Sequence, residues 1–193
     1  MNELSTCKIN DDHQEITKHK DAINEEFGEG ITNDIFTLYF HDPNDENWSL
    51  TSYKRLHDIS TVQDFWKTFR VIKDKLKQGI FFVMRESSFP CWDDPSNING
   101  GVLSIKVLKE NVVAYLEELY IRFLGETLLV PELQDNWEVI NGISTSPKRY
   151  FCIIKIWLKT NDYNDKKFFR LPEKYYGDII YRENIENIQN NHD

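Results

Sequence analysis

Cysteine is scarce: Cys7, Cys91 and Cys152 are the only three, and no pair has CxxC spacing. That suits reduced thiols in a cytosolic compartment better than a disulfide framework. No His/Asn signature of a catalytic thiol lies near any of them, and no run of histidines has metal-ligand spacing. Positive charge is also short, with 23 Lys+Arg against 32 Asp+Glu and a net charge of -9. Such a chain repels phosphate backbones at long range, so sequence-blind duplex binding is excluded, whereas a small anion in a local basic pocket is not. No apolar stretch reaches the roughly 20 residues of a membrane span. The opening "MNELSTCKINDDHQEITKHKD" has no apolar run of the kind a signal peptide needs. There is no internal repeat and no low-complexity tract.

What is abundant is apolar and aromatic. Hydrophobic residues make up 40% and aromatics 13% of 193 residues, including Trp48, Trp66, Trp92, Trp137 and Trp157. This is core-forming material for one domain, not a disordered chain. Residues 1–30 are polar and mixed in charge and read as a flexible arm. Residues 31–183 read as the domain, and 184–193 as a polar tail that frays.

Within the domain, "DIFTLYF" (34–40), "WSLTSYKRLHDI" (48–59), "GIFFVMRE" (79–86), "GVLSIKVL" (101–108), "WEVINGIST" (137–145), "YFCIIKIWLKT" (150–160) and "YYGDIIYRE" (175–183) read as strands. Ser60 with Gln63 matches a capping box and predicts a helix over 60–77; apolar three- and four-residue spacing predicts another over 111–129. "NDYNDKKFFRLP" reads as a short helix. The run Asn99-Gly100-Gly101 reads as a turn ahead of a returning antiparallel strand. The regular rhythm of a parallel sheet is missing, so the fold class is α+β, with a mostly antiparallel sheet and helices on one face.

The stretch "FPCWDDPSNINGG" (89–101) places an indole directly before two carboxylates, between a proline and a turn. Trp48 follows a second polar loop, "HDPNDEN" (41–47). A lone tryptophan in either place plugs a core from a loop end. Two loop-borne indoles, one followed by a carboxylate, also make a slot for a flat ligand. The rings take its faces and the carboxylate accepts donors on its edge. Guanine offers two such donors, N1–H and N2–H, and guanine methylated at N7 is cationic as well.

With "HDPNDENWSL", "TVQDFW", "PCWDDPSNINGG", "FLGE" and "IKIW" in this order across residues 34–182, the chain resembles the eukaryotic translation initiation factor 4E cap-binding family. The resemblance implies a strongly curved antiparallel sheet with about three helices on its convex face and a slot for the 7-methylguanosine mRNA cap on its concave face. It implies a binder without cofactor, metal or catalytic residues. Trp48 and Trp92 would stack on the cap, Asp93 would read guanine where the family usually has glutamate, and Trp157 would lie beside the N7 methyl. Lys148 and Arg149 would meet the phosphates. Ile153 and Val102 stand where the family has cations, and Lys155, on the Trp157 side of its strand, is the candidate replacement. Asp94 reads as a solvated loop acid.

The helix over 60–77 carries a docking stripe, Phe65–Phe69–Ile72, and a second pair, Val62 and Trp66, turned about 100° away, so Trp66 is expected to be largely exposed. In the family this pair receives a short helix from the initiation scaffold or from repressors. Ile121, Leu124 and Gly125 match other parts of that surface. Glu117 replaces a family leucine, and the family's His-Pro-Leu is absent. A cap-binding repressor or storage factor is therefore the second reading. A protein-interaction domain with a non-functional slot is the third. An enzyme using Asp93, Asp94 and Glu86 has no supporting nucleophile or metal motif.

Overall fold

The computed structural model describes residues 30–173 and 176–190. The expected arm therefore lies almost wholly outside the described residues. Seven strands form one curved, open, antiparallel sheet. They are β1 (Ile31–His41), β2 (Lys54–Thr61), β3 (Ile80–Arg85), β4 (Gly101–Leu108), β5 (Ile140–Pro147), β6 (Phe151–Leu158) and β7 (Tyr176–Glu183), in the order β2-β1-β3-β5-β6-β4-β7. Among the described residues, three α-helices accompany them: α1 (Val62–Ile72), α2 (Val112–Leu124) and α3 (Asn184–Asn190).

Period-two alternation gives the sheet two different apolar faces. Phe36, Leu38, Phe81, Val83, Leu103, Ile105, Ile154 and Ile156 face α1 and α2 and form the main core. The neighbouring positions Tyr39, Phe82, Met84, Val102 and Trp157 form a second, aromatic-rich cluster on the open face. Phe65, Phe69 and Ile72 anchor α1, as the stripe predicts. Burying each contributes about 1.5–3 kcal/mol. In α2, Val112, Tyr115, Leu116, Leu119, Tyr120, Phe123 and Leu124 are buried.

Several local expectations shift. The first helix is capped one residue later: Thr61 is extended, and its Oγ1 accepts the Asp64 N–H at 3.0 Å. Trp137 lies not in a strand but in a 3-10 run, Pro131–Val139, opened by its proline. "NDYNDKKFFRLP" gives two 3-10 turns, Asn161–Tyr163 and Lys166–Phe168. Strand β4 does not return on β3 but pairs with β6 and β7. Glycine is needed at the head of β4 for close approach: a Cβ on Gly100 would fall 1.8 Å from the Leu158 carbonyl oxygen. Within the segment expected as a tail, Asn184–Asn190 form a helix. Buried Asn184 donates its N–H to the Gly100 carbonyl at 2.9 Å and its Nδ2 to the Asn97 carbonyl at 2.8 Å.

A buried ion pair ties α2 to the sheet. Arg85 donates to both Glu126 oxygens, at 2.9 and 2.7 Å, to Asp34 at 3.1 Å and to the Ile140 carbonyl at 2.7 Å. Its guanidinium also lies 4.6 Å from the Trp137 ring centroid. Glu126 holds this position with a φ of 53°, a left-handed conformation more often given to glycine at a helix end.

Candidate ligand-binding site

The loop after β1 is built from its own polar side chains. Asp42 Oδ1 accepts the Asn44 N–H, Asp45 Oδ1 that of Asn47, and Asn47 Oδ1 that of Ser49, each at 2.9 Å. These successive turns deliver Trp48 to the surface, 51% exposed. One indole face lies parallel on His41, with centroids 3.9 Å apart and planes within 5°. His41 is fully buried, and its two ring nitrogens sit 2.9 and 3.0 Å from the Asp42 and Asn47 carbonyl oxygens. Both partners are acceptors, so only an imidazolium satisfies both, and a neutral ring donates to one. The sequence reading missed this support, because one histidine at a strand end carries no pattern.

The second loop is stitched by Asn97. Its Nδ2 donates to the Phe89 and Cys91 carbonyls at 2.7 and 2.8 Å, and its Oδ1 accepts from Asn141 Nδ2 at 2.8 Å. Asn184 reaches the same residue from α3. Three buried asparagines therefore fix the loop that carries Trp92 and Asp93. Asp93 is exposed and accepts the Cys91 thiol at 2.6 Å. Burial, followed by this bond, pushes the thiol up to about 11, so it stays protonated as the donor. Asp94 turns inward instead: Oδ1 accepts the Ser96 N–H at 2.9 Å. Its part is the turn, which explains two adjacent carboxylates with different settings.

The two loops share one aromatic floor. Tyr53 meets Trp48 at 6.0 Å and Phe89 at 5.1 Å, and Tyr39 meets Phe89 at 5.4 Å. Trp92 and Phe89 pack on the cluster that contains Phe82 and Trp157. Trp157 is 3% exposed, and its Nε1–H donates to Ser144 Oγ at 2.9 Å. It forms part of the floor.

Lys155 lies on this floor. Its ammonium is 5.0 Å from the Trp92 ring centroid. Burial first, then the Lys148 and Arg182 charges, push it down to about 8. Lys148 and Lys155 thus act on one another. Arg149 does not join them: it stacks on Tyr150 at 4.9 Å, in a depression lined with Lys77, Lys109 and Glu110. Consecutive residues in a tight turn point apart.

Across the sheet, Val62, Trp66, Ile121, Leu124 and Gly125 line one groove with Phe65 and Ile31–Asn33. All five positions singled out in the sequence come together. Val62 and Ile121 are exposed at 46% and 48%. Trp66, expected to be largely exposed, is half-buried, with its ring edge-on to Phe65 at 5.1 Å and to Phe69 at 6.2 Å. Glu117 sits half-buried one turn before Ile121, at the groove's margin.

An α+β protein with one helix-covered sheet face and ring-bearing loops over the other is the class defined by this architecture. The chain belongs to the eukaryotic initiation factor 4E family, whose model matches residues 32–188. It is 24% identical over 157 residues to barley (Hordeum vulgare) eukaryotic translation initiation factor 4E-1, covering 78% of this chain and 69% of that one. A homolog from Acanthamoeba polyphaga mimivirus is 30% identical over 135 residues, covering 58% of this chain and 48% of the relative. The matched stretch thus spans between about half and two thirds of these relatives' length. Among solved structures, Ascaris suum eIF4E-3 with m7G cap aligns at TM-score 0.61 and 19% identity, covering 71% of this chain and 77% of that one. The C. elegans eIF4E-3 complex with the 4E-binding protein Mextli and cap analog aligns at TM-score 0.68 and 17% identity, covering 83% and 96%. These likenesses establish the fold.

Proposed function

We propose that the protein binds the 7-methylguanosine 5′ cap of mRNA between Trp48 and Trp92 and delivers the mRNA to a translation initiation scaffold in the cytoplasm. The observation that carries this reading is the anchoring of both loops to one aromatic floor, with the Lys155 ammonium on the Trp92 ring. Indole rings attract a cationic purine stacked on them, and the Lys155 ammonium beside Trp92 is placed to meet the phosphates rather than the base. Asp93 has an exposed carboxylate for the N1–H and N2–H of guanine, and Lys148 and Lys155 serve the phosphates. The protein acts by binding, without a reaction at these groups. The family membership and the cap-bound structural relatives support the assignment.

Asp93→Asn is expected to weaken 7-methyl-GTP binding about 10-fold or more, since hydrogen bonds to a charged group contribute about 1.5–3 kcal/mol. Asp94→Asn acts only through the turn and costs less. Isothermal titration of both variants checks this. Loss on Asp94→Asn without loss on Asp93→Asn would move the guanine contact to Asp94.

The groove on the helical face suits an amphipathic helix from the scaffold or from a repressor, anchored on Trp66. Trp66→Ala should abolish binding of such a peptide and leave cap affinity within about 2-fold. Because Trp66 is half-buried, the stability cost falls well below the roughly 3–5 kcal/mol of a fully buried tryptophan. A peptide pull-down, a cap titration and a melting curve on this variant separate the surfaces. Unchanged peptide binding would remove the groove from the account. Glu117 at the groove margin favours a partner with a basic residue there, which keeps a cap-binding repressor as the second reading.

A further inference from the structure

Arg182 entered none of the sequence arguments, yet β7 brings it to the open face. The register pairs Val102 with both Trp157 on β6 and Arg182 on β7, so the three form one row across the sheet. Cross-strand partners share a face. Lys155 lies two residues from Trp157 and on the same face. Lys148 approaches from the β5–β6 turn.

None of these three cations is in an ion pair among the described residues. They gather in a protein whose net charge is -9, where carboxylate partners are plentiful. Lys148 and Arg182 are close enough to lower the proton affinity of Lys155. Like charges held together without a partner repel one another, and a bound polyanion reverses the sign of that interaction. A further donor points the same way. The Trp92 Nε1–H is buried without a hydrogen-bond partner among the described residues, on the ring that carries the Lys155 ammonium. A buried unpaired donor beside a cation cluster is completed by an anionic oxygen.

We propose that Arg182 is a phosphate-binding residue, acting with Lys155 and Lys148 to hold the phosphate chain of the ligand whose base lies between Trp48 and Trp92. The proposal deepens the cap-binding reading and rests on it for the base. Its guanidinium grips two oxygens at once, which neither lysine does.

The test measures binding of 7-methyl-GTP, 7-methylguanosine and inorganic triphosphate to wild type, Arg182→Ala and Arg182→Lys, at several salt concentrations. Arg182→Ala should weaken 7-methyl-GTP about 10-fold or more, the size expected of a charged hydrogen bond. It should reduce the slope of log affinity against log salt by about 1. Arg182→Lys should recover part of the loss, and 7-methylguanosine should bind all three proteins equally. Arg182 is exposed on an edge strand, so the fold should survive, and melting curves verify that. Equal losses for nucleoside and triphosphate, or no loss for either, would overturn the assignment. Inorganic triphosphate separates the two claims. If wild type does not bind the nucleoside but binds inorganic triphosphate through Arg182, the base reading fails and the phosphate site stands.

Discussion

Trp92→Ala is expected to bind 7-methyl-GTP at least about 10-fold more weakly than wild type, and Trp48→Ala to do the same, because base stacking contributes about 1–3 kcal/mol per ring. Trp48 is the cleaner of the two. It is half exposed and packs on His41 and Tyr53 rather than in the core, so its removal leaves the sheet unchanged. Trp92→Ala also removes the surface on which the Lys155 ammonium rests, so its loss combines stacking with a displaced cation. Trp157→Ala is not an equivalent test, since Trp157 is 3% exposed and its truncation costs about 3–5 kcal/mol of stability. Fluorescence titration of the variants, with circular dichroism to confirm the fold, measures the effect. Wild-type affinity in Trp48→Ala or Trp92→Ala would mean that the indole in question does not touch the ligand.

The second large effect is on stability. Glu126→Ala leaves Arg85 buried with only Asp34, itself partly exposed, as a carboxylate partner. Breaking a buried pair by removing one member costs about 3–5 kcal/mol. For a chain of this size each kcal/mol lowers Tm by about 2–4 °C, so Tm should fall by about 6–20 °C. Glu126→Gly isolates the backbone term. Glu126→Ala keeps a Cβ at a φ of 53° and loses the ion pair alone, whereas glycine is unstrained there, so Glu126→Gly also relieves the left-handed strain and should fall less. Thermal melts of both decide the matter. A drop of less than about 2 °C in Glu126→Ala would show that water or Asp34 fully replaces the carboxylate.

What the sequence discloses is what neighbouring residues impose on one another. Alternation in "GVLSIKVL" places β4 at its observed bounds, and the three- and four-residue spacing in "NVVAYLEELYIRFLGETLL" finds the start of α2 within one residue, but the helix ends at Leu124, five residues before the expected 129. Of the groove residues, Val62 and Trp66 are legible because their helix carries more apolar surface than docking requires, and Ile121, Leu124 and Gly125 only through the family resemblance. Contacts between distant residues were not legible. Asn97 meets Asn141 and Asn184 across 44 and 87 residues, and each of them, read locally, is turn or tail. The same blindness hid Arg182, whose row with Trp157 exists only because β4 lies between β6 and β7. Trp66 was read as exposed because a helical wheel shows its angle but not the size of Phe65 and Phe69 on either side.

The most direct test of the central claim is a tryptophan-fluorescence titration of the wild-type protein with 7-methyl-GTP and with GTP at the same pH and salt. The two ligands share the phosphates and the guanine edge and differ in the methyl and the ring charge. Stacking of a cationic purine on Trp48 and Trp92 predicts saturable quenching by both, with 7-methyl-GTP the tighter by about 10-fold or more, the scale of a desolvated cation–π interaction. Equal affinity for the two nucleotides, or no quenching by 7-methyl-GTP, would contradict it.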